Sequence, residues 1–167
     1  TEELLRELRG QDAQIEFHLF IGQLGGVPRD ELHAQELKIR GRLVELTGML
    51  LRRYAALGGE SVKIISHDPL EDPLGYRAAA QEFSYTAKDG ESLVVTVQQK
   101  GKERRHRKLS LVSDLALIEM GGNSAGGPSQ GNALPVLKDY QGEKGISSAL
   151  KGLLVQGTPI VYVIEGH

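Results

Sequence analysis

The feature that most constrains the fold is a long amphipathic stretch, residues 30–57, which predicts a single helix. Its apolar residues recur at spacings of three, four and seven, which is the period of a helix with one buried face. Asp30 precedes the stretch as an N-cap, and Gly58 and Gly59 follow it as a stop signal. Such a helix must pack on other elements, so the rest of the chain is expected to fold around it. The stripe consists of Leu32, Ile39, Leu43, Leu46, Leu50, Tyr54 and Leu57.

A second row of residues, mostly small, runs along the same helix at heptad spacing. Glycine inside a helix costs about 1 kcal/mol relative to alanine. A row without bulky side chains lets another helix approach closely, which would offset that cost. We therefore predict a helix seam here, with a partner either from the same chain or from a second copy in a homodimer. The seam residues are Ala34, Leu37, Gly41, Val44, Gly48, Leu51 and Ala55.

Shorter segments outside this helix show the patterns of strands and helices. Alternating or β-branched residues predict strands at 15–21, 62–65, 93–97, 109–120 and 160–164, the fourth of them broken near Ser113. A helix continuing through residue 24 is the alternative for the first segment. Residues 2–9 and 143–154 are predicted helices, residues 67–75 a loop, and residues 78–85 fit either type of element. The fold class is therefore α+β, with a largely antiparallel sheet of about five strands packed on one long central helix and two shorter helices.

Composition limits the class of protein. The 167 residues, 40% of them hydrophobic and 25% charged, suit a single domain, residues 1–167, without a membrane span. The absence of cysteine excludes disulfides, thiolate metal sites and a cysteine nucleophile. The first residues lack the layout of a signal peptide, and the cysteine-free composition leads us to expect a cytoplasmic protein. Residues 121–132, rich in glycine, are predicted to form a flexible internal loop.

The most concrete functional signal is a run of positive charge. Residues 100–108 carry a net charge of +5, which leaves −7 on the rest of a chain whose total is −2. A basic hairpin on an acidic body is typical of a contact with phosphates or with an acidic protein surface. Phe83 and Tyr85 are candidates for a base-stacking face beside it. The alternative is a solvated hairpin tip whose charges protect a sheet edge. The predicted nucleic-acid-binding residues are Lys100, Lys102, Arg104, Arg105, Arg107 and Lys108.

A five-residue match to a hydrolase motif lies at residues 122–126, with Ser124 at its centre and with Asp139 and His167 later in the chain. A nucleophile elbow requires a helix directly after the serine, and the Gly- and Pro-rich residues 127–131 disfavour one. The same loop lacks the lysine and the helix start of a phosphate-binding loop. We therefore predict no catalytic residue here.

Histidine and acidic residues fall close together in three places. His33 and Glu36 lie one helical turn apart, Glu16 and His18 share a strand face, and His67 precedes Asp68. None of these clusters supplies the three protein ligands of a catalytic zinc site, so no metal and no cofactor are predicted.

These signals favour a non-enzymatic binding or assembly module that holds an anionic partner. Nucleic acid is the first expected partner and an acidic protein surface the second. One alternative is a small enzyme acting on a small molecule in a cleft near His18 or His67. Another is a homodimeric assembly factor or chaperone that uses the helix seam.

Overall fold

The protein adopts an α+β fold in a computed structural model that describes residues 3, 13–22, 27–121 and 134–154. The described residues form three helices and six strands, and the strands divide into sheets of four and two. The predicted fold class is confirmed. The strands are β1 (Gln14–Phe20), β2 (Val62–His67), β3 (Ser92–Gln98), β4 (Arg105–Ser110), β5 (Ala116–Met120) and β6 (Pro135–Tyr140). The helices are α1 (Glu31–Gly58), α2 (Pro73–Glu82) and α3 (Gly142–Leu154).

The long helix α1 begins and ends within one residue of its predicted limits. The Asp30 carboxylate accepts a hydrogen bond from the His33 amide at 2.7 Å, as an N-cap does. At the other end, Gly59 has a φ of 57°, a left-handed conformation that glycine adopts without strain. Both terminal signals in the sequence are therefore used.

The larger sheet has the strand order β2-β1-β3-β4. β1 pairs in parallel with β2, and the other two pairs are antiparallel. Parallel neighbours need a long crossover, which the 28-residue helix α1 supplies between β1 and β2. The strand prediction for residues 15–21 is confirmed, and its helical alternative is wrong.

One face of this sheet forms the main core with α1 and α3. Alternate residues of each strand point toward these helices, because side chains in a strand alternate between the two faces. α3 packs on β3 and β4, while α1 contacts β2 and β6. The sheet contributes Ile15, Phe17, Leu19, Val62, Leu93, Val95, Val97 and Leu109 to this core.

The opposite face is half covered by α2, a helix that the sequence analysis did not assign. Asp72 caps it by accepting from the Gly75 amide at 2.9 Å, and Pro73 occupies its first turn. Residues 67–75 were predicted as a loop, but these signals start a helix within them. The helix and the chain after it cover Phe20 and Val94 with Phe83 and Tyr85, forming a second, smaller core.

The two-stranded sheet packs beside α1. Residues 109–120 are two strands, because the chain turns between Ser110 and Leu115, near the predicted break. The Tyr140 hydroxyl of β6 lies 2.9 Å from the buried Thr47 hydroxyl of α1. Apart from Glu3 and Gly121, the predicted helix at 2–9, the strand at 160–164 and the loop at 121–132 lie outside the described residues. None of the helices that the structure describes has the length and apolarity needed to cross a bilayer.

Candidate functional site

The basic segment forms the tip of the β3–β4 hairpin and most of β4. The turn is closed by a hydrogen bond from the Lys102 amide to the Gln99 carbonyl at 3.0 Å. Gly101 has a φ of 75°, which explains a glycine at this position. Five of the six predicted cations are exposed, and Lys108 is half-buried. We call residues 100–108 the basic hairpin.

The strand register divides the cations of β4 between the two faces of the sheet. Arg105 and Arg107 pair with Val97 and Val95, so they lie on the face of the main core, beside α3. Arg105 Nη1 donates to the Leu153 carbonyl in the last turn of α3 at 2.8 Å, where positive charge complements the helix dipole. The basic hairpin is therefore a ribbon with cations on both sides.

On the opposite face, the cations of the hairpin form ion pairs within the protein. Arg104 bridges Glu16 of β1 at 2.7 Å and Glu82 of α2 at 2.5 Å. Its guanidinium also lies 5.5 Å from the centre of the Phe83 ring. Lys108 contacts Asp89 at 2.6 Å, and this contact lowers the pKa of the Asp89 carboxyl. Arg104 and Lys108 thus hold the hairpin to the body of the protein.

The aromatic pair predicted to stack on bases is buried. Phe83 is 5% exposed and Tyr85 is 8% exposed, and both pack against Phe20 beneath α2. They form part of the second core because residues 78–82 are helical and bring the following residues down onto the sheet. A stacking role for these two rings is incompatible with their burial.

Beyond the edge of α2, the second face of the sheet is open and polar. A groove of about 350 Å³ runs across the ends of β1, β2 and β3 and reaches the basic hairpin. Arg104 and Lys63 supply its positive charge, and Glu16 supplies a negative one. Lys63 and Glu16 were not predicted as parts of this site, since only strand pairing brings them to the hairpin. The groove is lined by Gln14, Glu16, Lys63, Thr96, Gln98 and Arg104.

Two histidines from different strands meet next to this groove. His18 Nδ1 lies 3.0 Å from His67 Nε2, and their rings are parallel. Arg104 Nη2 lies 3.3 Å from the other ring nitrogen of His18, and Glu16 lies 3.5 Å from it. Burial lowers the pKa of His18, although the hydrogen bond and charge of Glu16 oppose the shift. Burial lowers the pKa of His67 as well, and its neighbour His18 adds to the effect.

These positions define what the histidines can do. His18 is 5% exposed, and neither histidine is among the residues that line the groove. The Asp68 carboxylate accepts from the Leu70 amide at 2.8 Å, so it serves the turn after β2. The enzyme alternative in a cleft near these residues stays a prediction.

The remaining candidate chemistry is sparse in the described part of the chain. His33 Nδ1 accepts from the Arg29 amide at 3.2 Å, an interaction at the start of α1. No group of three or more metal-ligating side chains occurs within residues 13–22, 27–121 and 134–154. Ser124 and His167 lie outside the described residues, so the geometry of the five-residue hydrolase motif is not defined.

The helix seam is divided between the core and an open side. Leu51 is fully buried, and Val44 and Ala55 pack against the main core. A Cβ added at Gly41 would meet nothing within 4 Å, and one at Gly48 would meet only Arg52 of the same helix, at 3.6 Å. No other described helix therefore packs on the two glycines, and the homodimer stays a prediction.

Comparison with known proteins gives no relative for this arrangement. No protein-family model matches the chain, and neither the curated proteins nor the solved structures contain a significant match.

Proposed function

We propose that this protein is a non-enzymatic binding module that contacts an anionic partner through the basic hairpin. Nucleic acid is the first partner and an acidic protein surface the second. The observation that supports this most is the exposure of Lys100, Lys102, Arg104, Arg105 and Arg107 within a single hairpin. The polar groove beside Arg104 extends the same surface across the open half of the sheet. We expect the protein to act in the cytoplasm, as its cysteine-free sequence suggests.

The ion pairs of the basic hairpin limit how strongly its binding to nucleic acid can depend on salt concentration. Each phosphate contact with duplex DNA adds about −0.9 to the slope of log K against log salt. Arg104 and Lys108 already form ion pairs with Glu16, Glu82 and Asp89. Replacing one of these carboxylates by a phosphate therefore adds little binding free energy. We expect a slope of about −4 or shallower, rather than the slope of about −5 that six contacts would give.

The burial of Phe83 and Tyr85 favours one mode of nucleic-acid binding over another. Single-strand binders without sequence preference combine a basic groove with exposed aromatic rings on which bases stack. Phe83, whose ring lies 5.5 Å from the Arg104 guanidinium, is buried beneath α2 together with Tyr85, so neither ring can take that role. Contacts to the phosphate backbone therefore carry the proposal, and we expect little sequence preference and no advantage for single strands.

Fluorescence anisotropy tests the proposal with labelled single-stranded and duplex oligonucleotides and with polyglutamate, between 50 and 200 mM salt. The test variant replaces Lys100, Lys102, Arg105 and Arg107 with Ser. The matched control replaces four exposed cations of α1 and α2, Lys38, Arg42, Arg52 and Arg77, with Ser, which changes the net charge equally. We expect salt-dependent duplex binding that only the hairpin variant loses.

The other outcomes are equally informative. Binding to polyglutamate but not to oligonucleotides assigns the hairpin to an acidic protein partner. Equal loss in both variants reduces the effect to net charge, and no binding to any polyanion rejects the proposal.

A further inference from the structure

A second concave site lies at the opposite end of the larger sheet from the tip of the basic hairpin, and none of its lining residues belongs to that hairpin. It is a cavity of about 420 Å³, which is within the usual range for small-molecule sites. The end of β1, the middle of α1, the helix α2 and the segment before β3 enclose it. The residues that line it are Gly22, Arg40, Pro69, Tyr76, Ala80, Tyr85, Ala87 and Gly90.

The charged group of this cavity is held in a fixed orientation. Arg40 donates from Nε to Glu91 Oε2 at 2.5 Å and from Nη2 to Glu91 Oε1 at 2.6 Å. The Glu91 side chain is 1% exposed, whereas that of Arg40 is 31% exposed. The chain leaves no room for a larger residue at Gly22, where a Cβ would lie 2.4 Å from Glu91 Oε1. The backbone after β1 is therefore shaped around this carboxylate.

A buried ion pair of this kind is a poor device for stability alone. Taking two charges out of water costs much of what their attraction returns, and an apolar pair of the same volume often does as well. What the pair does provide is a guanidinium with a defined plane. Arg40 uses two of its five N–H groups on Glu91, and it makes no other hydrogen bond within the described residues.

The remaining N–H groups of Arg40 suit an oxyanion with two oxygens. A guanidinium binds a carboxylate with two parallel hydrogen bonds, and a planar fork that is already oriented loses little freedom on binding. Burial and the neighbouring Tyr76 raise the pKa of the Tyr85 hydroxyl, which donates to the Gly90 carbonyl. Tyr85 therefore stays neutral and does not place a second negative charge beside the ligand.

The other walls of the cavity are apolar and aromatic. Tyr85 stacks on Phe20 with ring centres 4.3 Å apart, and Tyr76 meets Tyr85 edge-on at 5.9 Å. Ala80, Pro69 and Ala87 add aliphatic surface to these walls. Such walls take up a planar hydrocarbon, and the single charged group fixes its direction.

From these observations we propose that the cavity beside Arg40 binds a small monocarboxylate with a planar apolar body. Its carboxylate meets the outer edge of Arg40, and its body lies against Tyr76 and Tyr85. This site is separate from the basic hairpin, and it holds or fails independently of the function proposed above.

Titration of the full chain with benzoate, followed by amide chemical shifts, tests the site. Benzamide is the matched probe, because it keeps the ring and removes the charge. We expect saturable shifts with benzoate at Gly90, Ala87 and Tyr76, and binding of benzamide at least tenfold weaker. An absence of saturable shifts with benzoate overturns the proposal, and so do shifts confined to residues 100–108 or equal affinity for the two probes.

Two variants locate the binding. Ala80→Leu adds bulk at the α2 wall of the cavity, while Ala78→Leu places the same side chain on the exposed side of α2. We expect at least tenfold weaker benzoate binding for Ala80→Leu and none of this loss for Ala78→Leu. Arg40→Lys keeps the positive charge but lacks the planar guanidinium. We expect this variant, with its fold checked by near-ultraviolet circular dichroism, to bind benzoate at least tenfold more weakly as well. Undiminished binding by Ala80→Leu, or an equal loss in Ala78→Leu, overturns the proposal.

Discussion

His18 Nδ1 and His67 Nε2 lie 3.0 Å apart in two parallel imidazole rings, so one nitrogen must donate and the other accept. A guanidinium can only donate, and Arg104 Nη2 is 3.3 Å from His18 Nε2. Arg104 therefore favours an unprotonated Nε2 and a proton on Nδ1, whose hydrogen bond His67 Nε2 would accept, whereas the Glu16 carboxylate, 3.5 Å from the same Nε2, favours a proton there. Two imidazolium ions cannot keep this geometry, because each would direct an N–H at the other.

This pair predicts a loss of stability in mild acid. Both pKa values are lowered by burial, so in the unfolded chain the histidines bind protons at a higher pH than in the folded one. Stability is therefore constant above the unfolded pKa of about 6.5 and falls as the pH drops below it. It levels off once the folded state is protonated. The slope is at most about 1.4 kcal/mol per pH unit for each histidine.

Urea unfolding between pH 4.5 and 8 measures this effect. The double variant His18→Gln and His67→Gln should lose the slope between pH 6.5 and the folded pKa values. His33→Gln, at the exposed start of α1, should keep it and serves as the control. A wild-type slope that survives in the double variant would show that groups other than this histidine pair carry the pH dependence.

The Arg40–Glu91 pair predicts an asymmetry between its two members. Arg40→Ala leaves the Glu91 carboxylate buried without its partner, which should cost about 3–5 kcal/mol. Glu91→Gln leaves Arg40, whose side chain reaches water, so we expect a smaller loss of about 1–2 kcal/mol. Thermal or urea unfolding gives both values. Arg42→Ala in the exposed pair with Glu45 should cost less than 1 kcal/mol, and equal losses at Arg40 and Glu91 would contradict this account.

Local signals in the sequence were sufficient for α1, β1 and β3, because caps and residue periodicity act over a few neighbours. They were also present for α2, where Asp72 and Pro73 are an N-cap and a first-turn proline. Two prolines and three acids between His67 and Gly75 had suggested a loop, and this composition concealed the helix start. The same residues fit a loop and a helix N-terminus, so their local pattern does not decide between the two. The helix is favoured because the residues that follow, among them Phe83, pack against Phe20 and Val94.

The residues that surround Arg104 and the histidine pair could not be predicted from local sequence patterns. Glu16 is 88 positions from Arg104, and His18 is 49 positions from His67, so only the pairing of β1 with β2 and β3 brings each pair together. A net charge count could identify the basic hairpin. It could not show that Arg105 and Arg107 lie on one face of the sheet and Lys108 on the other, or that Lys108 forms an ion pair with Asp89.

The cap of α2 gives a direct test of its unexpected start. Replacing Asp72 with Ala removes the acceptor for the Gly75 amide and should destabilise the protein by about 1 kcal/mol. Asp72→Asn should retain most of the stability, since its side-chain oxygen can still accept. Asp30→Ala, at the equivalent position of α1, is the matched control and should show a similar loss. If Asp72→Ala is neutral in urea unfolding while Asp30→Ala is not, α2 does not depend on this cap.

The open side of α1 can be tested through its glycines. A Cβ at Gly41 would meet no described atom within 4 Å, so Gly41→Ala should gain about 0.5–1 kcal/mol from reduced backbone entropy in the unfolded chain. At Gly58 a Cβ would lie 2.1 Å from Val62 Cγ2, so Gly58→Ala should be destabilising and is the contrasting control.

If the predicted homodimer forms through the glycine row, larger residues at Gly41 should destabilise the protein instead of stabilising it. Close packing of a second copy on the glycine row would make Gly41→Leu with Gly48→Leu overpacked, at about 1–3 kcal/mol for each site. Sedimentation would then show a dimer for the wild type and a monomer for the double variant, with the helical signal retained. Stability of the wild type would also rise with protein concentration. A monomeric wild type that is stabilised by Gly41→Ala at every concentration would mean that this side of α1 faces water, where alanine is simply the better helix former.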